Sequence, residues 1–151
     1  MKKGEFKVLI DAPRKTVWEI LWDDATYREW TAPFCEGSYY VTDWKEGSKA
    51  LFLSPSGEGM VSKIEVNTPN EFMSIRHLGE VKDGVEDTES EKVKAWAGAY
   101  ENYYLTDVGD KTELRVEMDM TNEFADYFVN TWPKALEKIK EIAERKAVIA
   151  P

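Results

Sequence analysis

Few side chains in this sequence are suited to chemistry, and the carboxylate of Glu101 is the one whose position can be argued from spacing. Gly109-Asp110 has the composition of a two-residue hairpin turn, which aligns Glu101 with Met118 on the returning strand. Met118 lies on the apolar side of that strand, so Glu101 is predicted to point into the interior. A desolvated carboxyl has a raised pKa unless it is paired, and such groups often mark functional sites. A one-residue bulge would turn Glu101 outward instead.

Other patterns of catalysis or metal binding do not occur in the sequence. A metal site usually needs three or four suitable ligands, and the chain has one histidine, His77, and one cysteine, Cys35. There is no nucleophile elbow, phosphate-binding glycine loop or dinucleotide motif. We therefore expect no metal, no cofactor and no hydrolase chemistry of the usual kind. Nothing near Cys35 in the sequence would activate its thiol, which we expect to be inert.

The charge balance restricts the partners that the chain could have. Its formal net charge is −9, which opposes binding to nucleic acids and to anionic membrane surfaces. The sequence has no apolar run of the length that a signal peptide or a membrane span needs, so we expect no membrane insertion. A single cysteine cannot form an intrachain disulfide and suits a reducing compartment. The expected location is the cytoplasm.

Alternation of apolar and polar residues, with turn residues between the runs, predicts mainly strands. The predicted order is one strand, two short helices, six strands and a long helix. The charged stretch Glu80–Lys94 is predicted to be a mobile surface loop or lid. The predicted elements are a strand around Phe6–Ile10, a helix that starts near Pro13, a helix Asp24–Trp30, strands Glu36–Trp44, Ser48–Leu53, Gly59–Asn67, Glu71–Gly79, Ala99–Asp107 and Lys111–Thr121, and a helix from Asn122 to about Arg145.

The long C-terminal helix has a clear apolar stripe, and Pro133 inside it predicts a kink. Apolar residues recur at steps of three and four, as expected for one helix face packed on a sheet. An antiparallel sheet with one apolar face and one amphipathic helix must bury these surfaces together. The sequence therefore predicts an α+β fold in which a curved antiparallel sheet of about seven strands surrounds the helix. The stripe consists of Phe124, Phe128, Trp132, Leu136, Ile139 and Ala143.

Aromatic residues and methionines are concentrated on the predicted inner faces of the sheet and helix. Such side chains suit an irregular, adaptable ligand pocket. The alternative is that they pack against one another and leave no void, and helical spacing does not separate the two cases. The candidate lining residues are Trp30, Phe34, Met60, Tyr103, Met118, Met120, Phe124, Phe128 and Trp132.

Several short motifs resemble the START-like (SRPBCC) superfamily, in particular the single-domain bacterial relatives of the activator of heat-shock-ninety ATPase. The resemblance spans nearly the whole chain and implies one START-like domain over residues 1–151 with the helix-grip fold. The motifs are Val8–Trp18, Tyr27–Trp30 followed by Glu36–Trp44 and Gly47, Gly59–Ile64 with Pro69, Gly109–Leu114, and Trp132–Leu136.

The resemblance also implies that strand Glu71–Gly79 lies beside the strand that carries Glu101. Met73, Ile75 and His77 could then share the inner face, and His77 could pair with Glu101 inside the cavity. The opposite face of that strand, with Phe72 and Leu78, is nearly as apolar, so both orientations remain open.

Three functions are compatible with these observations. The leading hypothesis is a non-catalytic protein that binds a small hydrophobic or aromatic molecule between the sheet and the helix. The second is a protein-interaction module that resembles the chaperone activator and has a chaperone as partner. The third is a cofactor-free cyclase or dehydratase in which His77 and Glu101 act as acid and base. A fold of this kind carries several functions, so the choice depends on the site.

Overall fold

The computed structural model describes residues 1–149, in which an antiparallel sheet packs on one long C-terminal helix. The last two residues of the predicted domain, 150 and 151, lie outside this range. The elements are β1 (Lys2–Ile10), α1 (Arg14–Trp22), α2 (Asp24–Trp30), β2 (Tyr39–Val41), β3 (Lys49–Leu53), β4 (Gly59–Thr68), β5 (Phe72–Lys82), β6 (Val85–Asp87), α3 (Glu91–Lys94), β7 (Ala99–Val108), β8 (Lys111–Met120) and α4 (Asn122–Ile149).

The strand order decides which side chains meet on the concave side. The path through the sheet is β1-β8-β7-β5-β4-β3-β2, and β6 pairs with the free part of β5. Strands β5 and β7 are therefore neighbours, as the family resemblance implied. The β7–β8 hairpin places Glu101 opposite Met118, which is the register predicted from the Gly109-Asp110 turn. No bulge interrupts this ladder or the one between β5 and β7, whereas the β4–β5 ladder has two register shifts.

The prediction of a mobile loop over Glu80–Lys94 is wrong. Strand β5 continues to Lys82, turns at Asp83-Gly84 and pairs with β6, and α3 follows. Both turn residues have positive φ angles, as a tight hairpin requires. Ser90 then caps α3 by accepting the backbone N–H of Val93, whose side chain is completely buried. The sheet therefore has eight strands, where about seven were expected.

Other predicted boundaries were also placed wrongly, and the first strand begins at Lys2, four residues before Phe6. The strand predicted over Glu36–Trp44 is reduced to β2, because Gly37 and Trp44 have φ angles of 85° and 63°, which no strand can contain. The last helix extends beyond Arg145 to Ile149. It also runs without interruption through Pro133, so the proline does not end it. The carbonyl of Val129 loses its usual partner there, and Val129 is exposed, so water can replace the missing N–H.

Helix α4 supplies one side of the core and packs mainly on β1, α1 and α2. Its buried residues form the stripe that the sequence predicted, from Trp132 through Ile139 to Ala143. Burial of one large apolar side chain contributes roughly 1.5–3 kcal/mol, so this face stabilises the position of the helix strongly. The first turns of α4 are less buried: Phe124 and Tyr127 are 47% and 43% exposed. The helix is thus anchored by its C-terminal half, while its N-terminal half borders an opening.

Candidate ligand-binding site

A cavity of about 650 Å³ lies between the concave face of the sheet, helix α2 and the N-terminal half of α4. It reaches solvent where Met1 and Phe124, both well exposed, form part of its wall. This volume is in the range of pockets that take small molecules. All nine residues that the sequence analysis selected lie in its wall: Trp30, Phe34, Met60, Tyr103, Met118, Met120, Phe124, Phe128 and Trp132. That they bind a ligand stays a prediction.

The lining residues recur at the spacing expected for the strand or helix that carries them. Met118 and Met120 alternate along β8, and Phe124, Phe128 and Trp132 follow at steps of four along α4. The innermost aromatic rings pack on one another, with 6.1 Å between the ring centres of Trp132 and Trp30. A void is therefore present, and the alternative in which the aromatic side chains leave none is not realised: the deep rings pack on one another, and their outer faces border the cavity.

A chain of polar side chains crosses this apolar wall. The Oγ atom of Ser62 lies 2.7 Å from Nδ1 of His77, and Nε2 of His77 lies 3.0 Å from Oε1 of Glu101. The other carboxylate oxygen, Oε2, accepts the hydroxyl of Tyr103. The side chain of His77 is 8% exposed and that of Glu101 is 18% exposed, and both border the cavity. The structure thus brings together the two candidate residues, His77 and Glu101.

The surroundings of this chain shift the pKa values of its acids. Burial alone would raise the pKa of Glu101, but the hydrogen bond and charge interaction with His77 and the hydrogen bond from Tyr103 outweigh it and lower the pKa. Burial, together with the nearby Glu101 carboxylate, raises the pKa of Tyr103 well above its ordinary value. The pKa of Tyr27, a further wall residue, is raised for the same two reasons. At neutral pH the site therefore holds an ionised carboxylate among neutral phenols.

Sequence reasoning missed several residues of the site. Ser62 was missed although it alternates with Met60 and Ile64 on one face of β4; the register shift between Val61 and Ser62, which no local signal marks, decides that it lies opposite His77. Val81 was missed because it lies in the stretch Glu80–Lys94, which was predicted to be a loop. Trp96 was missed because it follows that stretch closely. The Asp83-Gly84 dipeptide between two valines was a usable hairpin signal. Trp22 and Tyr27 also border the cavity. The sequence analysis placed them on predicted helices but did not select them as lining residues.

Other kinds of site have little support in the described part of the chain. In residues 1–149 no group of three or more His, Cys, Asp or Glu side chains is placed to hold a metal ion. Cys35 is exposed and unpaired at the wall of the cavity. No helix among the described residues is both long and apolar enough to cross a membrane.

The comparisons with known proteins agree with this architecture. The family profile described as "Activator of Hsp90 ATPase homolog 1-like protein" matches residues 11–144. The chain belongs to this family. Its membership accounts for the START-like order of elements and for the helix that the sheet encloses. A search of curated proteins gives no match.

Solved structures similar to this member of the family share its fold at low identity. The Mesorhizobium loti protein MLL2253 is 15% identical with a TM-score of 0.70, and the match covers 95% of this chain and 98% of that one. The Aha1 dimer from Colwellia psychrerythraea is 18% identical with a TM-score of 0.70, over 95% and 97% of the two chains. DynU16, a putative protein of the dynemicin biosynthetic locus, is 14% identical with a TM-score of 0.69, over 97% of this chain and 49% of that one. At these identities the likeness shows the fold alone.

Proposed function

We propose that this protein binds a small hydrophobic or aromatic molecule in the cavity between the sheet and helix α4. The observation that carries the proposal is the cavity of about 650 Å³ with a mainly apolar wall and a convergent set of polar groups at Glu101. Small-molecule sites generally combine these two features, because the apolar wall supplies affinity and a few polar groups fix orientation. The comparisons with known proteins support the fold in this argument, but they do not identify a ligand.

The geometry favours binding over acid–base catalysis by the His77–Glu101 pair. Nδ1 of His77 contacts the buried Ser62 and Nε2 contacts Glu101, so the ring would have to give up one of these contacts to exchange a proton directly with a bound molecule. The lowered pKa of Glu101 makes its carboxylate a weak base at neutral pH. The cyclase or dehydratase hypothesis requires the opposite, a group whose pKa is tuned toward the working pH. We therefore assign these residues to ligand orientation.

Tryptophan fluorescence tests the proposal, because Trp22, Trp30, Trp96 and Trp132 border the cavity. A panel of fatty acids, flavonoids and aromatic polyketides would be titrated into the wild-type protein. We expect saturable quenching or a shift in emission for at least one class. Met60→Trp, which fills the cavity from β4, should abolish the response.

The matched control is Val129→Trp, since Val129 is 53% exposed on α4 and is not part of the cavity wall. This variant should bind as the wild type does. Circular dichroism melts of both variants would show that loss of binding does not reflect unfolding. Absence of any saturable response in the wild-type protein across the whole panel would contradict the proposed function.

A second candidate is stimulation of a chaperone ATPase, which the family match favours. No surface among residues 1–149 can be assigned to a chaperone from the contacts described above, so this candidate depends on membership of the family. The test is the ATPase rate of a bacterial Hsp90 with and without the protein, together with co-elution on size exclusion. An unchanged rate and separate elution would remove this candidate.

We also propose that residues 1–151 form one START-like domain that works in the cytoplasm. All but the smallest elements contribute to one buried cluster, from Ile10 on β1 to Ala143 on α4. The single, exposed and unpaired Cys35 suits a reducing compartment. Fractionation of cells that produce the protein, with limited proteolysis of the purified chain, would test both statements.

A further inference from the structure

The ligand preference of the cavity can be deduced from its polar groups by counting donors and acceptors, on the basis of the function proposed above. Ser62 is 1% exposed, and its hydroxyl makes one hydrogen bond among the described residues, to Nδ1 of His77. A buried hydroxyl proton needs an acceptor, and Nδ1 supplies one if the ring carries its proton on Nε2. The Nε2–H group then donates to Glu101. This arrangement satisfies every polar atom of the two residues.

Glu101 is the end point of this chain. It accepts one hydrogen bond at Oε1 from His77 and one at Oε2 from Tyr103, so the donors of both neighbours are used. An ionised carboxylate has about four lone-pair sites, which leaves it able to accept from a ligand. Because Glu101 is partly exposed to the cavity, this capacity is accessible.

Three of the four indole N–H groups in the wall, those of Trp22, Trp30 and Trp132, do not offer a competing set of donors at this place. Nε1 of Trp30 donates to the carbonyl of Leu21 at 3.1 Å, and Nε1 of Trp132 contacts Sδ of Met118 at 3.0 Å. Nε1 of Trp22 has no partner among the described residues, but protein atoms enclose it. The phenol of Tyr27 is different: it borders the cavity, lies near enough to Glu101 to feel its charge, and has no hydrogen-bond partner within residues 1–149, so its hydroxyl can donate or accept.

The charged side chains of the wall add a negative bias to its interior. Lys92 and Lys82 are well exposed, and Lys92 is 3.5 Å from Glu80, so these groups lie at the rim. Asp119 alternates with the inward-facing Met118 and Met120, and its carboxylate is bonded to Lys3 and to the backbone N–H of Tyr100. The wall also holds Glu58, which is exposed, and Glu80, which pairs with Lys92, so Glu101 is the carboxylate that a molecule deep in the cavity meets, and within residues 1–149 no lysine or arginine forms an ion pair with it.

We infer that the cavity selects apolar molecules that carry a hydroxyl group, an alcohol or a phenol, and disfavours those that carry a carboxylate at the same position. A ligand hydroxyl donates to Glu101 and can accept from Tyr27, so it matches both groups. A ligand carboxylate has no proton to donate and is repelled by Glu101 in a site of low polarity. An alkyl group offers no donor, so when it excludes water from the cavity it leaves the remaining lone-pair sites of Glu101 unpaired.

Four compounds of nearly equal shape test this inference: 2-naphthalenemethanol, 2-methylnaphthalene, 2-naphthoate and 2-naphthalenemethylamine. Binding to wild-type protein at pH 7.5 would be measured by tryptophan fluorescence and by calorimetry. We expect the alcohol to bind at least about tenfold more tightly than the carboxylate, because a hydrogen bond to a charged group is gained and a repulsion is avoided. This comparison needs no variant, so it does not depend on any variant's folding.

Glu101→Gln and the control Glu80→Gln test whether Glu101 is the source of the preference for an alcohol over a carboxylate. The carboxamide removes the charge and offers an N–H donor, so Glu101→Gln should reduce the preference for alcohol over carboxylate to less than about threefold. Glu80→Gln removes a rim charge of the same type and should keep the wild-type preference. Loss of the preference in Glu80→Gln as well would show that the overall charge of the rim sets it, and would overturn the inference.

The outcomes separate this inference from the proposed function. If all four compounds bind within threefold of one another, or if the carboxylate binds most tightly, the cavity is a binding site but the inference is wrong. If the amine binds tenfold more tightly than the alcohol, the site recognises positive charge and the inference of a hydroxyl ligand is also wrong. If none of the four binds and the wider panel fails too, the proposed function itself is wrong.

Discussion

Ser62 Oγ and His77 Nδ1 lie 2.7 Å apart on the neighbouring strands β4 and β5, and both side chains are buried. Ser62 is opposite His77 in the sheet because a register shift occurs just before it. This contact fixes the orientation of the imidazole, and through it the position of the proton that His77 donates to Glu101. Several measurable properties of the protein depend on it.

The first prediction concerns the tautomer of His77. At pH 7.5 we expect Nδ1 to be unprotonated and Nε2 to carry the proton, because Ser62 donates to the former and Glu101 accepts from the latter. A two-bond ¹H–¹⁵N correlation spectrum reads this directly, and the chain has one histidine, so assignment is unambiguous. Ser62→Ala should change the Nδ1 signal, whereas Ser54→Ala, whose hydroxyl bonds Ser56, should not. Two protonated ring nitrogens in the wild type would contradict the prediction.

The second prediction is a stability difference that depends on pH. The folded protein lowers the pKa of Glu101, so this residue stabilises the fold above the pKa of the unfolded chain, near 4.3, and the contribution is lost as the pH falls through the lower folded value. Urea denaturation of wild type and Glu101→Gln at several pH values should show the advantage of the wild type shrinking below about pH 4. Tyr103→Phe removes one of the interactions that lower this pKa and should show a smaller change with pH. If the stability advantage of the wild type over Glu101→Gln grew as the pH fell, the lowered pKa of Glu101 would be contradicted.

The third prediction separates the packed part of the wall from its rim. Trp132 is 2% exposed and stacks near Phe6, Trp30 and Phe34, so Trp132→Ala should lower the free energy of unfolding by about 3–5 kcal/mol. Phe124 lies on the same helix face but is largely exposed, and Phe124→Ala should cost less than about 1 kcal/mol. Chemical denaturation measures both. Equal costs would mean that the mouth of the cavity is closed by Phe124 in solution.

The fourth prediction concerns the β5–β6 hairpin. A Cβ atom on Gly79 would lie 2.2 Å from the carbonyl oxygen of Asp87, so Gly79→Ala must push β6 away from β5. We expect a loss of about 1–3 kcal/mol and faster hydrogen exchange in β6. In the control Gly4→Ala the new Cβ meets the flexible end of Met120 at 2.5 Å and the ring edge of Phe6 at 3.2 Å, both of which are side chains and can move, so the cost should be smaller. Unchanged exchange in β6 would show that this close contact is absent in solution.

Much of the site could be predicted from local patterns. The Gly109-Asp110 turn determines the β7–β8 register, because a two-residue loop leaves one pairing, and that pairing turns Glu101 inward. The apolar stripe of α4 similarly identifies the helix face that meets the sheet. Between Glu80 and Lys94 the same kind of reasoning failed, because the density of charged residues concealed the Asp83-Gly84 turn and the cap at Ser90.

The sequence by itself determined the α+β architecture, since periodicity and turn chemistry act over a few neighbouring residues, and its short motifs indicated the family. The same patterns selected nine candidate residues, which are part of the wall of the cavity. The tertiary structure decided the rest. Ser62, His77 and Glu101 come from three strands, and their contact depends on a register shift that leaves Leu78 of β5 unpaired with β4 and on the adjacency of β5 and β7. Whether aromatic side chains fill an interior or leave a void depends on how far sheet and helix stand apart. That distance is set by the packing of the whole core, which no local pattern contains.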